Sequence, residues 1–128
     1  MILDGDPRPL ATSWDCDAWA WPLRDLWDGE HTFRVDGPWG YGPVTPRPWM
    51  FRPSALREAP IWHTNRKLHT GHCPANWTGL TGVAPQLVWH HLSYARADHR
   101  ALKHAQYLAH AASLSPFELA HAQSIADG

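Results

Sequence analysis

Five of the ten histidines in this 128-residue chain fall in one stretch, WHHLSYARADHRALKHAQYLAH, spanning 89 to 110. Imidazole can ligate a divalent metal or move a proton near neutral pH, so the type and spacing of these residues come first. Two histidines stand near the ends of expected strands: His69 in KLHTGHCPAN and His91 in VWHHLSY. Neighbouring strand ends bring such residues together. Neutral imidazole beside carboxylates suits Mn²⁺, and one histidine is enough to complete such a shell. His99, His104, His110 and His121 stand on expected helices, where surface or helix-packing roles are the expectation. Ligands on one helix face need i, i+4 spacing, and His104 and His110 are six apart.

The elements that must position these residues are short, because twelve prolines and nine glycines divide the chain. Residues 18 to 27 (AWAWPLRDLW) alternate as a half-buried strand with Trp19 and Trp21 on one face, and Pro22 makes that strand an edge or a bulged one. After the turn-prone Asp28-Gly29, residues 31 to 35 (HTFRV) read as the second arm of a hairpin, Phe33 and Val35 facing one way and Arg34 the other. From Asp36 to Pro60 the chain is a long loop, apart from a short strand around Trp49 to Arg52. Its aromatics, Trp39, Tyr41, Trp49 and Phe51, suit core packing or a platform for a sugar ring. A short strand is expected at Lys67 to Thr70, and a buried one from Gln86 to His91. Two helices close the chain. The first starts near Asp98, with Ala101, Leu102, Ala105, Leu108, Ala109 and Ala112 as an apolar stripe at helical spacing. The second runs from Pro116 toward Ile125 behind the capping box Ser115-Pro116-Phe117-Glu118.

Composition bounds the function. A chain of this length fits a single domain over 1–128, with one modest core. The net charge is −1 and the eleven lysines and arginines are scattered, so no nucleic acid partner is expected. Cys16 and Cys73 lie far apart without CxxC spacing, which points to a reducing, cytoplasmic setting. The first residues lack the pattern of a signal peptide, and no stretch approaches the ~20 apolar residues of a membrane span.

Two family resemblances follow from the motifs. HHLSYAR resembles the strand end that carries the paired histidines of HNH nucleases, which implies a metal-dependent endonuclease. That family also needs an Asn on the following helix, often with CxxC pairs, and both are missing here. The broader resemblance is to the C-terminal part of family 2 glycosyltransferases of the GT-A class, of the kind found in actinobacteria and their phages. It rests on DLWDGEHTFRVDGPW, RPWMFRP, KLHTGHCPAN and HLSYARADHRALKHAQYLA, in that order, and covers residues 18 to 125. In the last stretch His91, Tyr94, Arg100, Lys103 and Tyr107 match the family's run, while Ser93 stands where Gly is usual.

The resemblance implies an α+β chain with few mixed strands, a long aromatic loop and two C-terminal helices. It would be the acceptor-side half of an enzyme moving a sugar from a nucleotide-sugar donor to an acceptor hydroxyl. A divalent metal, Mn²⁺ or Mg²⁺, would offset charge on the leaving nucleotide. By the same resemblance His69 is the first choice of metal ligand and His91 the second; Asp36 and Trp39 would sit near the acceptor, and Arg34 and Arg52 would contact phosphate or acceptor hydroxyls. The nucleotide-binding half, with its Asp-x-Asp motif, is nearly absent, which implies a separately encoded N-terminal half or a truncated relic, and no transferase activity from this chain alone. Asp4-Gly5-Asp6 and Asp15-Cys16-Asp17 have the spacing, but their setting is that of turns. The remaining alternative is a small non-enzymatic binding or virion protein.

Overall fold

The computed structural model of the chain describes residues 1–62 and 74–127, with Tyr41 and Gly42 by backbone alone. The strand expected at Lys67 to Thr70, and with it His69, lies outside the described residues. In chain order the elements are β1 (Ile2–Asp4), α1 (Arg8–Ala11), β2 (Ala18–Trp21), β3 (Leu23–Asp25), α2 (Tyr41–Val44), β4 (Arg47–Phe51), β5 (Thr81–Val83), β6 (Val88–His91), α3 (Ala97–Leu108) and α4 (Pro116–Ser124). The protein is a mixed α+β chain with two three-stranded mixed sheets, ordered β4-β2-β5 and β1-β6-β3.

Pro22 is where the chain passes from one sheet to the other. Proline has no N–H for a ladder, so the strand expected over 18 to 27 breaks there into β2 and β3. The Pro22 carbonyl still accepts from the Trp89 amide at 3.0 Å, which pins the crossing point to β6. The edge position expected for the first piece is corrected: β2 is the middle strand, antiparallel to β4 and parallel to β5, and Ala18, Ala20 and Trp21 are all buried. The alternative, a bulge, is present. Pairing shifts between Trp19 and Ala20, so that Trp49 is the extra residue of β4, and its indole donates to the Trp21 carbonyl at 2.8 Å. Pro48 is tolerated because β4 is an edge strand.

The hairpin is present in reduced form. Asp28 (φ 53°) and Gly29 (φ 135°) make the turn, and Leu26 and Phe33 form a single antiparallel bridge, but residues 31 to 35 do not make a regular strand. Its polarity is the reverse of an amphipathic strand: the Arg34 side chain is 15% exposed, whereas Val35 is 59% exposed. Arg34 turns inward because its guanidinium finds Asp36 and the Ser124 carbonyl there.

Two clusters of buried residues hold the chain together. One, around Trp21, Ala84 and Leu87, gathers Trp19, Trp49 and Trp89. The other, Trp27, Trp39, Tyr94, Tyr107, Ala122 and Ile125, lies where β3 meets the C-terminal helices. In α3 the apolar stripe does not face this core. Ala101, Leu102, Ala105, Leu108, Ala109 and Ala112 are exposed, and the helix packs instead through Arg100 and Tyr107, with Lys103 and His104 half-buried between them. Those four recur at the i, i+3, i+4, i+7 spacing of one helix face. α4 starts on the expected capping box, Ser115 accepting from the Glu118 amide. No described helix is long and apolar enough to cross a membrane.

Candidate functional site

β3 and β6 run parallel, in a register that sets Asp25 opposite His91. Residues so paired point to the same sheet face about 5 Å apart, close enough for their side chains to meet. Asp25 Oδ1 lies 2.7 Å from His91 Nδ1, and His91 Nε2 lies 2.9 Å from the Ser93 hydroxyl, which stands on the helical turn directly after β6. An ionised carboxylate can only accept, so Nδ1 carries the proton, and in the neutral imidazole Nε2 is then the acceptor that faces the Ser93 hydroxyl. The Asp25 and His91 side chains are 14% and 26% exposed. Tyr94 meets the imidazole edge-on at 5.4 Å, and burial pushes its hydroxyl well above the ordinary tyrosine range, so it stays neutral. His90 points the other way, as alternation along a strand requires, and reaches Asp4 of β1 at 3.7 Å. The paired histidines therefore do not converge.

Beside β3 the hairpin opens a groove of about 630 Å³, lined by Trp27, Phe33, Arg34 and Asp36 with Asp28 and Asp127. Arg34 grips Asp36 through two bonds, Nε to Oδ1 at 2.6 Å and Nη2 to Oδ2 at 2.8 Å, and its Nη1 donates to the Ser124 carbonyl at 2.6 Å. The guanidinium holds the Asp36 carboxyl below its ordinary pKa, and Asp36 in turn raises that of Arg34. The pair is thus a fixed donor and acceptor at the groove wall. The groove and the Asp25–His91 pair are linked through the backbone, because the Arg34 amide donates to the Asp25 carbonyl at 3.2 Å.

The other expected site residues fall elsewhere. Trp39 is 1% exposed and does not line the groove; it packs under Arg34, meets Trp27 and Tyr94 edge-on, and donates to Ser124 Oγ at 2.9 Å. Its ring faces are therefore taken by the core. Arg52 belongs to the β4-β2-β5 region, where it donates to the Ser13 carbonyl and covers the Trp14 ring at 3.9 Å. Arg34, Asp36 and Trp39 come together, whereas Arg52 does not join them.

No three of His, Cys, Asp and Glu among the described residues gather as a metal-holding group, and both ring nitrogens of His91 already have partners. Of the Asp-x-Asp pairs, Asp6 and Asp15 make local contacts, accepting from Arg8 and from the Ser13 hydroxyl, whereas Asp4 ends β1 beside His90 and Asp17 accepts from the distant Leu80 amide. His99 and His110 are exposed, and His121 packs 4.3 Å from Trp39. Sequence reasoning missed Asp25 and underused Ser93. The departure from Gly at 93 was the visible signal; Asp25 had none, because only the β3–β6 register joins it to His91. No known family model, curated protein or solved structure matches the chain.

Proposed function

We propose that this chain is the acceptor-side part of a nucleotide-sugar-dependent glycosyltransferase of the GT-A type, and that it holds a sugar or similar polyol in the groove beside the hairpin. The observation that carries this reading is the exposed Phe33 ring beside the fixed Arg34–Asp36 pair in one groove, over a floor formed by the buried Trp27. Sugar C–H faces stack on aromatic rings, while charged groups held in place fix the hydroxyls. Arg34 supplies donors; Asp36, Asp28 and Asp127 supply acceptors. Three carboxylates against two guanidiniums, Arg34 and the Arg100 bound to Asp28, favour a neutral polyhydroxylated ligand over a phosphate chain.

On this reading the nucleotide, the donor diphosphate and any Mn²⁺ or Mg²⁺ are held by a nucleotide-binding half, and the described residues position the acceptor hydroxyl. The test is a side-chain NMR titration of the chain with a panel of mono- and disaccharides. Expected are shifts at the Trp27 indole and Arg34 guanidinium at millimolar sugar, with affinity falling about tenfold in Asp36→Asn for the loss of one charged hydrogen bond. If every sugar leaves Trp27 and Arg34 unmoved, the reading fails.

A further inference from the structure

We propose that Ser93 is a nucleophile, activated by His91 and Asp25, for attack on short carboxylic esters. Asp25 Oδ1, the two ring nitrogens of His91 and Ser93 Oγ form one continuous chain of hydrogen bonds, with contacts of 2.7 and 2.9 Å. This is the connectivity that lets a serine hydroxyl lose its proton as it attacks: a base on the hydroxyl, and a carboxylate that fixes the tautomer of the base. The other described serine hydroxyls with an acceptor spend themselves differently. Ser13 bonds to Asp15, Ser113 and Ser124 to helix carbonyls, and Ser115 to Glu118, so Ser93 is the described serine whose hydroxyl meets an imidazole. Ser93 is half-buried, as is His91.

The residues are held from three sides. The parallel pairing of β3 and β6 fixes Asp25 opposite His91, the Leu26 amide donates to the His91 carbonyl at 3.1 Å, and the buried Tyr94 ring abuts the imidazole. The reaction is an ester hydrolysis in two steps. Ser93 Oγ bonds to the acyl carbon while its proton passes to His91 Nε2, and Asp25 stabilises the imidazolium. The bond from acyl carbon to the leaving alkoxide then breaks, and the alkoxide takes the proton from Nε2. Water attacks the acyl-serine in the same way, its proton passing through Nε2 back to Ser93 Oγ as the carboxylic acid leaves. Ester and water are consumed, and acid and alcohol are formed.

This proposal stands apart from the sugar groove, since no lining residue of the groove takes part. The first test treats the whole chain with a fluorophosphonate probe, which reacts with activated serines, and maps the adduct by mass spectrometry. One adduct is expected, on Ser93, together with slow hydrolysis of p-nitrophenyl acetate that Ser93→Ala abolishes. Labelling should slow by about 100-fold or more in His91→Gln and by about tenfold or more in Asp25→Asn, the range of general-base assistance. No adduct on the native chain, or labelling of Ser93 unchanged in His91→Gln, overturns the proposal. Mapping on the native chain needs no variant, so a misfolded mutant cannot mask the answer.

Discussion

The Arg100 guanidinium lies 4.7 Å over the Trp27 ring and is the buried charged residue that joins the hairpin turn to α3. Its Nη1 donates to the Tyr94 carbonyl at 2.9 Å and its Nη2 to Asp28 Oδ1 at 2.6 Å. One side chain thus ties three segments: the turn at Asp28, the helical turn after β6 at Tyr94, and α3. Arg34 lies at the same 4.7 Å from the same ring. The second core is therefore an aromatic cluster closed by two guanidiniums together with Ala122 and Ile125.

Removing that tie is costly. Arg100→Ala is expected to lose about 2 to 3 kcal/mol of stability, because a buried fork and its stacking on Trp27 go while Asp28, already exposed, is rehydrated. Arg100→Lys recovers less than half of the loss, since an ammonium cannot bridge the two acceptors in one plane. Urea denaturation followed by tryptophan fluorescence measures both; equal stability of Lys and Arg at this position would contradict the account.

The reversed face of α3 makes its own prediction. Leu102 is 60% and Leu108 45% exposed, so Leu102→Gln and Leu108→Gln should each change stability by less than about 0.5 kcal/mol. Tyr107, on the opposite face and 5% exposed, should cost about 3 kcal/mol as Tyr107→Ala. The same denaturation curves decide it: a large loss at Leu102 would mean that the stripe packs inward after all.

At the start of α4, Ser115 and Glu118 satisfy each other's backbone amides. Ser115→Ala is expected to cost about 1 kcal/mol, and the far-ultraviolet circular dichroism of the folded chain should change little, since α4 is also held by Ala122 and Ile125 in the core.

The Arg34–Asp36 pair sets an acid limit. The folded pKa of Asp36 is lowered by Arg34, so the stabilisation is fully present above the ordinary carboxylate value near ~3.9 and is lost as pH falls through the lowered folded value. An NMR titration of the Asp36 side-chain carbon should show a midpoint below that of a free aspartate, moving up toward it in Arg34→Gln.

Much of the local structure was legible along the chain. The capping box at Ser115 starts α4, Asp28-Gly29 makes its turn, and Pro22 interrupts its strand, because each effect acts within four residues and depends on one backbone geometry. β1 and β5, of three residues each, were missed, since they are too short to show a period. Arg34 and Asp36 were picked out separately, Arg34 beside Arg52 and Asp36 beside Trp39, and it is the structure that shows the two in contact.

Tertiary structure decided the directions. The pattern of α3 marks Leu102 and Ala105 as its buried face, yet the helix turns Arg100 and Tyr107 inward, because Asp28, Tyr94 and Trp27 offer that guanidinium two acceptors and a ring where the helix docks. His91 was visible as a reactive type, but its chemistry was not. Asp25 stands 66 residues away, and a strand register, which no local pattern encodes, sets its carboxylate against the imidazole.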